Sequence, residues 1–318
     1  MTEISIIIVT WNGKRYAEEC LDSLRAYIND PRAEVIVVDN ASTDGTPEMI
    51  EHSYPGVTLI RNEKNLGFAK ANNVGIQWSA GEYVLLVNSD VVVRDGCIER
   101  LVEYMKQNPR VGLLGPKMLG ADGKAYRSYM AELTLWRCFC RAVAFDDLFP
   151  NSKFLGGYLM PYFKMDRVTE VDVLNGWFWV TRREALNEVG LMDDTLFMYG
   201  DDLDWSKRFR QAGWKLIYFP GAESLHYGGA SSARAPIKFS VEMQRANFQY
   251  WQKHHGLASQ IVYRGIVWMH QAFRLAGYSL LWLAAKSRQA ETGFKAKRSL
   301  ACMRWAMGIE DKRGEQVR

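Results

Sequence analysis

Between residues 4 and 90 the chain repeats one pattern: a short unbroken run of aliphatic residues, then a stretch whose apolar positions fall three and four apart. Residues 4–10 form a continuous, largely β-branched run, as a strand buried on both faces of a parallel sheet requires. Ala17, Cys20, Leu21, Leu24, Tyr27 and Ile28 then keep the spacing of one buried helical stripe and predict a single helix. Residues 35–38 give a second buried strand, ending at Asp39, and Thr46 reads as a helix N-cap with Pro47 at the first helical position. A third strand over 57–60, a third helix over 68–78 and a fourth strand over 83–87 follow, the last ending in Asn88-Ser89-Asp90. Four alternations of strand and helix predict an α/β layered fold with a mixed, mainly parallel sheet flanked by helices.

Beyond residues 111–116 the periodicity weakens. Asp122-Gly123 marks a hairpin turn, residues 131–170 are aromatic and irregular, and 171–181 read as one strand. Period two along that strand puts Trp177 and Trp179 on the same face, either as core residues or as a platform for an acceptor.

In parallel sheets, ligands bind beyond the carboxyl ends of the strands. The polar residues stand there: Thr10-Trp11-Asn12, Asp39-Asn40, Arg61-Asn62 and Asn88-Ser89-Asp90 each follow a strand directly and should converge on one rim. No G-x-G-x-x-G follows the first strand and no G-x-x-x-x-G-K-[ST] occurs, which counts against a dinucleotide dehydrogenase or a P-loop NTPase. A carboxylate at the end of the second strand, Asp39, suits ribose hydroxyls or base N–H groups because it accepts without donating. Further along, Asp201, Asp202 and Asp204 place three carboxylates within four residues at the start of a helical pattern. Such a cluster is either an acidic first turn or a site where one carboxylate is tuned to take a proton. Asp204 can pair with Arg208 one turn on.

Composition narrows the class. The 318 residues are 48% hydrophobic and can bury one sizeable core plus a small appended unit. The five cysteines are too scattered for a disulfide framework, and the first residues lack a basic region and cleavage site, so a cytoplasmic protein is expected. The net charge of +4 hides an asymmetry: residues 1–233 carry 25 Lys+Arg against 31 Asp+Glu, a net of −6, and residues 234–318 carry 15 against 5, a net of +10. A basic tail on an acidic body points to an anionic surface. Its longest uninterrupted apolar piece, 275–285, would rise only about 17 Å as a helix against the roughly 30 Å of a bilayer core, so it should not span. Trp268, Trp282 and Trp305, with Lys286, Arg288, Lys295, Lys297 and Arg298 among them, suit a helical hairpin in an anionic membrane interface. The other readings are an extension packed on the body and a homodimer contact. A nucleic-acid partner is not expected, since these aromatics interrupt an apolar helix.

These segments in this order resemble the inverting glycosyltransferases of family 2, with the GT-A fold, over roughly residues 5–232. Ser5-Ile-Ile-Ile-Val-Thr-Trp-Asn12, Val35-Ile-Val-Val-Asp-Asn-Ala-Ser-Thr-Asp-Gly-Thr46 and Asn65-Leu-Gly-Phe-Ala-Lys-Ala-Asn-Asn73 are similar to its nucleotide half. Residues 176–183, Phe197-Met-Tyr-Gly-Asp-Asp-Leu-Asp204, Arg208, Ala212-Gly213-Trp214 and His226, ahead of Gly228-Gly229-Ala230-Ser231, are similar to its acceptor half. The resemblance implies a catalytic domain over 1–233, divided into a nucleotide-sugar half (1–117) and an acceptor half (118–233), with 234–318 as a basic helical extension. It implies that Thr10, Asn12, Asp39, Asn65, Asn73, Asn88 and Ser89 line the donor site. Asn88-Ser89-Asp90 stands where the family has its DXD motif, with the first aspartate replaced by asparagine, as in rhamnosyl- and galactofuranosyltransferase-like members. Asp90 and His226 would hold Mg²⁺ or Mn²⁺, Asp202 would be the base, and Trp177, Trp179 and Asp201 would meet the acceptor. The expected reaction moves a sugar, first rhamnose from dTDP-rhamnose, to a glycan or polyprenyl-linked glycolipid in cell-surface polysaccharide synthesis, at the inner face of the cell membrane. A UDP-sugar donor, or a binding protein without catalysis, are the alternatives.

Overall fold

The computed structural model describes residues 2–196, 199–228, 235–284 and 286–309. The chain divides into two compact units, one of residues 1–132 and 164–230, the other of 133–163 and 231–318.

The first unit is built on a ten-stranded mixed sheet. β1 (Ile4–Thr10), β2 (Ala33–Asp39), β3 (Thr58–Arg61) and β4 (Tyr83–Asn88) run parallel in the order β3-β2-β1-β4, so the strand order reverses between β1 and β4. The helices between them are α1 (Lys14–Ser23), α2 (Arg25–Ile28), α3 (Thr46–Ser53) and α4 (Phe68–Trp78). Ile6, Ile8, Val35, Val37, Leu85 and Val87 are buried with Leu21, Leu24 and Ile50 in one core, which is why these strands read as unbroken apolar runs.

Two local expectations are corrected here. The helix predicted through Ile28 breaks at Leu24, whose amide bonds to the carbonyl of Leu21 in a tightened turn while its side chain stays fully buried. Thr46 is not the cap of α3. Gly45 takes that position in a left-handed conformation (φ 83°), and the Asp44 carboxylate accepts from both the amide and the hydroxyl of Thr46, an anionic acceptor prevailing over a hydroxyl.

After β4 come β5 (Val91–Val93), α5 (Cys97–Gln107) and β6 (Val111–Leu119), which turns through Asp122-Gly123 into β7 (Ala125–Tyr126). β8 (Tyr129–Met130), β9 (Thr169–Glu170) and β10 (Val173–Leu174) are short. β11 (Phe178–Arg182) lies antiparallel between β4 and β6. α8 (Arg183–Val189), α9 (Asp201–Gln211) and β12 (Lys215–His226) complete the unit, with β12 parallel to β6 and antiparallel to β5. The single strand expected over 171–181 is therefore two. Trp177 donates its amide to the Asn175 carbonyl in a tight turn at Gly176, where a Cβ would meet the Trp179 ring at 3.1 Å, so the chain leaves the β8–β10 pair and enters the main sheet.

The second unit is helical. It holds α6 (Leu135–Ala142) and α7 (Phe145–Leu148) from the stretch read as irregular, then α10 (Pro236–His254), α11 (Leu257–Ala284), a 3₁₀ turn (Lys286–Arg288) and α12 (Gln289–Ala306). α6 packs on α11, so residues 133–163, which the sequence assigned to the acceptor half, group instead with the C-terminal helices. Buried Tyr250, Trp251, Tyr263, Cys302 and Trp305 form its core, and Arg264 stands 4.4 Å from the Phe248 ring.

Candidate active site

Register alone assembles the rim. Thr10 pairs with Asp39, Asp39 with Arg61, and Val9 with Asn88, so the polar ends of β1 to β4 lie side by side at the carboxyl edge of the sheet. Thr10 and Asp39 are both about 1% exposed, and Thr10 Oγ1 and Asp39 Oδ1 have no hydrogen-bond partner among the described residues. Asp39 Oδ2 accepts the Ser42 amide at 2.9 Å, which fixes the carboxylate and leaves Oδ1 free. Unsatisfied buried oxygens are costly. Two on adjacent strand ends, next to the reversal of strand order between β1 and β4, could receive a ligand's donors.

The other residues expected on this side divide. Asn12 (φ 50°) accepts the amide of Thr43 at 2.7 Å and donates its own amide to Ser42 Oγ, joining the loop after β1 to the loop after β2. Asn65 accepts the Gly67 amide at 2.9 Å and shapes the entry to α4. Asn40, which sequence reading left in the background, accepts from Asn62 Nδ2 and donates to the Gly67 carbonyl, holding the same loop. Asn73 is a correction: its amide donates to the Met192 carbonyl at 2.8 Å and accepts the Met192 amide at 3.0 Å, so it clamps α4 to the segment after α8 and does not face the donor side.

Asn88, Ser89 and Asp90 link β4 to β5, each partly buried. The Asn88 amide is bound by the Trp177 carbonyl, and the Asp90 carbonyl accepts the Tyr227 amide, so both ends of the motif are pinned by backbone. Asp90 Oδ1 lies 3.2 Å from His226 Nε2, because β12 pairs with β5 and sets His226 opposite Val91. His226 is 5% exposed, and its Nδ1 lies 2.6 Å from the Tyr126 hydroxyl, which also donates to the His226 carbonyl. The Trp177 ring stands 5.0 Å from the imidazole and 5.1 Å from the Tyr126 ring. Burial and the Asp90 charge push the Tyr126 phenol well above its ordinary range, so it stays protonated.

This donor set fits a divalent ion. A carboxylate and an imidazole nitrogen meet at one point, with the other ring nitrogen held by a hydroxyl, as metal-bound histidines generally are. Among the described residues no three His, Cys, Asp or Glu side chains converge, so a diphosphate would supply the remaining ligands. Tyr126 was missed by sequence reasoning. It is one tyrosine in a hairpin, and only the turn at Asp122-Gly123 together with the register of β7 on β6 brings it to His226.

The acidic cluster sits at the start of α9. Tyr199 (φ 68°) and Gly200 (φ 78°) turn the chain through two successive left-handed residues, and Asp201 opens the helix. Asp204 Oδ2 accepts Arg208 Nε at 2.9 Å, while the same guanidinium donates to the Val189 and Leu191 carbonyls; that pair is structural, as the spacing implied. Asp201 is buried, and burial followed by the charges of Asp202 and Asp204 drives its carboxyl far above the usual range. Asp202 is partly buried and is raised by burial, with the Leu203 amide at 2.9 Å offsetting part of the shift.

Trp179 is a second correction. It is fully buried, donates Nε1 to the Leu174 carbonyl and packs 5.2 Å from the Trp205 ring of α9, so it presents no ring to an acceptor. Trp177, two residues earlier, remains partly exposed beside His226. Phe197 and Met198 of the motif, and Gly229-Ala230-Ser231 after His226, lie outside the described residues.

Residues 5–190 match the profile described as Glycosyl transferase family 2, more than half of the chain. The chain belongs to glycosyl transferase family 2. This glycosyltransferase is 30% identical over 272 residues to the N-acetylglucosaminyl-diphospho-decaprenol L-rhamnosyltransferase of Mycobacterium tuberculosis, covering 80% of this chain and 86% of that one. It is 31% identical over 227 residues to the poly-beta-1,6-N-acetyl-D-glucosamine synthase of Staphylococcus epidermidis, covering 69% of this chain and 48% of that one. In fold it is similar to the mannosyltransferase PcManGT of Pyrobaculum calidifontis, solved with GDP-Man and Mn²⁺, at a TM-score of 0.57 and 18% identity over 96% of this chain and 86% of that one. The glycosyltransferase thus has the GT-A architecture that its strand order and rim imply, with a helical C-terminal region.

Proposed function

We propose that this glycosyltransferase moves L-rhamnose from dTDP-rhamnose, with inversion, to N-acetylglucosamine carried on a polyprenyl diphosphate. The observation that carries the reading is the similarity to the mycobacterial rhamnosyltransferase along four-fifths of the chain. The unpartnered Thr10 Oγ1 and Asp39 Oδ1 support a donor nucleotide seated at the ends of β1 and β2. Asp39 would receive base N–H or ribose hydroxyl groups, and Asn88 and Ser89 would border the diphosphate. Asp90 and His226 would hold Mg²⁺ or Mn²⁺, which when bound neutralises charge on the diphosphate leaving group.

Asp202 takes the acceptor proton. The acceptor oxygen forms its bond to C1 as the bond from C1 to the diphosphate oxygen breaks, the hydroxyl proton passes to the Asp202 carboxylate, and the nucleoside diphosphate leaves. A carboxylate whose proton affinity is raised by burial is a stronger base than one in water. Trp177, partly exposed beside His226, would meet the acceptor. Transfer to a lipid-linked acceptor would take place at an anionic membrane surface. No helix among the described residues is long and apolar enough to cross a membrane.

The similarity to the poly-N-acetylglucosamine synthase favours a second reading, a UDP-N-acetylglucosamine donor. Incubating the protein with a short polyprenyl-diphosphate N-acetylglucosamine, Mn²⁺, and either dTDP-rhamnose or UDP-N-acetylglucosamine, then reading the product by mass spectrometry, separates the two. A deoxyhexose addition supports rhamnosyl transfer; an N-acetylhexosamine addition replaces it with the second reading; no product from either donor overturns both.

A further inference from the structure

α11 is 28 residues long, about 42 Å at the rise of an α-helix. Fifteen of its residues are exposed, and none of the fifteen is charged. Leu257, Ile261, Val262, Trp268, Phe273 and Leu280 are each at least 44% exposed. A solvated helix face ordinarily carries Lys, Glu or Arg. The two arginines of α11 lie on its other side: Arg264 is turned toward Phe248 and Trp305, and Arg274 is partly buried.

The end of α11 carries the argument further. Residues 279–284 are all exposed, six in succession, which is more than one and a half turns of helix. Five of the six are apolar, with Leu280 67%, Leu281 47%, Trp282 44% and Leu283 71% exposed. α12 takes one side of the tip, beside Trp282, and the sides turned away from it stay exposed. Fluid, apolar surroundings would fit around the sides of the tip that α12 leaves exposed.

The chain then turns through exposed Lys286 and Arg288 into α12, which runs back along α11, with Gly293 beside Trp282 and Lys295 Nζ 5.9 Å from the Tyr278 ring. Between residues 255 and 309 there are eight Lys and Arg and one acidic residue, Glu291, itself paired with Lys295. An apolar tip with cations at its base matches the acyl region and phosphate layer of an anionic bilayer.

We infer that the tip of the α11–α12 hairpin, with the uncharged face of α11, docks into the interface of an anionic phospholipid membrane: residues 280–283 enter the acyl boundary and Lys286 and Arg288 meet lipid phosphates. This deepens the membrane location proposed above and rests on it, by naming the surface that makes contact and the lipid it selects.

The test is flotation of the full chain with vesicles of phosphatidylcholine alone or mixed with phosphatidylglycerol. The wild-type protein should float with the mixed vesicles. Leu281→Glu with Leu283→Glu should lower the bound fraction tenfold or more. Lys286→Glu with Arg288→Glu should lower binding to the mixed vesicles about fivefold or more and leave the weaker binding to phosphatidylcholine nearly unchanged. A wild-type protein that floats with neither vesicle, or a Leu281/Leu283 variant that floats like it, overturns the inference. So does light scattering that finds a wild-type dimer made monomeric by the leucine variant, since the face would then belong to a second copy. Donor-dependent thermal stabilisation of the same proteins reports on the other unit: if it persists while flotation fails, the docking face alone is wrong, and if flotation holds while no donor stabilises, the transfer reading alone is wrong.

Discussion

Asp201 and Asp202 are adjacent in sequence but are asked to do different things, and substitution separates them. With Asp202 as the proposed base, Asp202→Asn would remove a group that acts only when acceptor is present, so kcat should fall by about 10²–10⁴ while donor-induced thermal stabilisation persists; lost donor stabilisation would move Asp202 to the donor side. Asp201 is held in a place that favours its neutral form. Between the ordinary carboxylate range and its raised folded value, the folded protein binds more protons than the unfolded chain, so stability falls as pH rises through that window and stays lower above it. Asp201→Asn should therefore raise Tm at pH 8, by roughly 2–4 °C for each kcal/mol of relief, with the gain vanishing near pH 4. Melts across this range decide it, and an equal gain at both ends would show that ionisation is not the cause. At the other cluster the Tyr126 hydroxyl sets which nitrogen of His226 faces Asp90. Tyr126→Phe should weaken Mn²⁺ binding about tenfold, read by electron paramagnetic resonance titration, and an unchanged affinity would reduce Tyr126 to packing.

At the scale of elements, most of the parallel half was legible in the sequence. β1 and α4 fall on the predicted residues, because a strand buried on both faces leaves an unbroken apolar run that no helix of that length shows. The rim followed from strand ends alone. What was not legible depended on contacts between distant segments. Nothing local in Asn73 announces Met192, nothing in Tyr126 announces His226, and period two cannot show that the chain turns between Trp177 and Trp179. That turn makes β11 a bridge: Trp177 packs on His226, Trp179 on Trp205 of α9, so one strand start positions both the Asp90–His226 cluster and the helix that carries Asp202. The entry to α9 is set by the left-handed pair Tyr199 and Gly200. Gly200→Ala forces a Cβ into that conformation, at about 1–2 kcal/mol, and tilts the first turn. We expect a modest loss of stability in denaturant titration together with a larger loss of kcat than of donor affinity; equal losses would mean that the turn does not aim Asp202.

Over the whole molecule, charge is divided by unit in a way that catalysis at a sheet edge does not require. The donor is itself anionic, and an acidic catalytic body gains nothing from a tail of net charge +10 unless that tail answers to another anion. If that anion is the membrane carrying the acceptor, ionic strength should act on the two substrates differently. Raising salt from 0.05 to 0.5 M shortens the Debye length about threefold, which should weaken attraction between the basic unit and lipid phosphates but leave a buried contact, such as the one proposed for Asp39 with the nucleotide, largely unscreened. The apparent KM for acceptor embedded in phosphatidylglycerol-containing vesicles should rise several-fold over that range. The KM for the donor, and that for a short-chain acceptor free in solution, should change little. Steady-state rates with both acceptors at each salt concentration measure this directly. A parallel rise for both would place the salt effect in the active site, whereas a rise confined to the embedded acceptor ties turnover to the membrane that the helical unit meets.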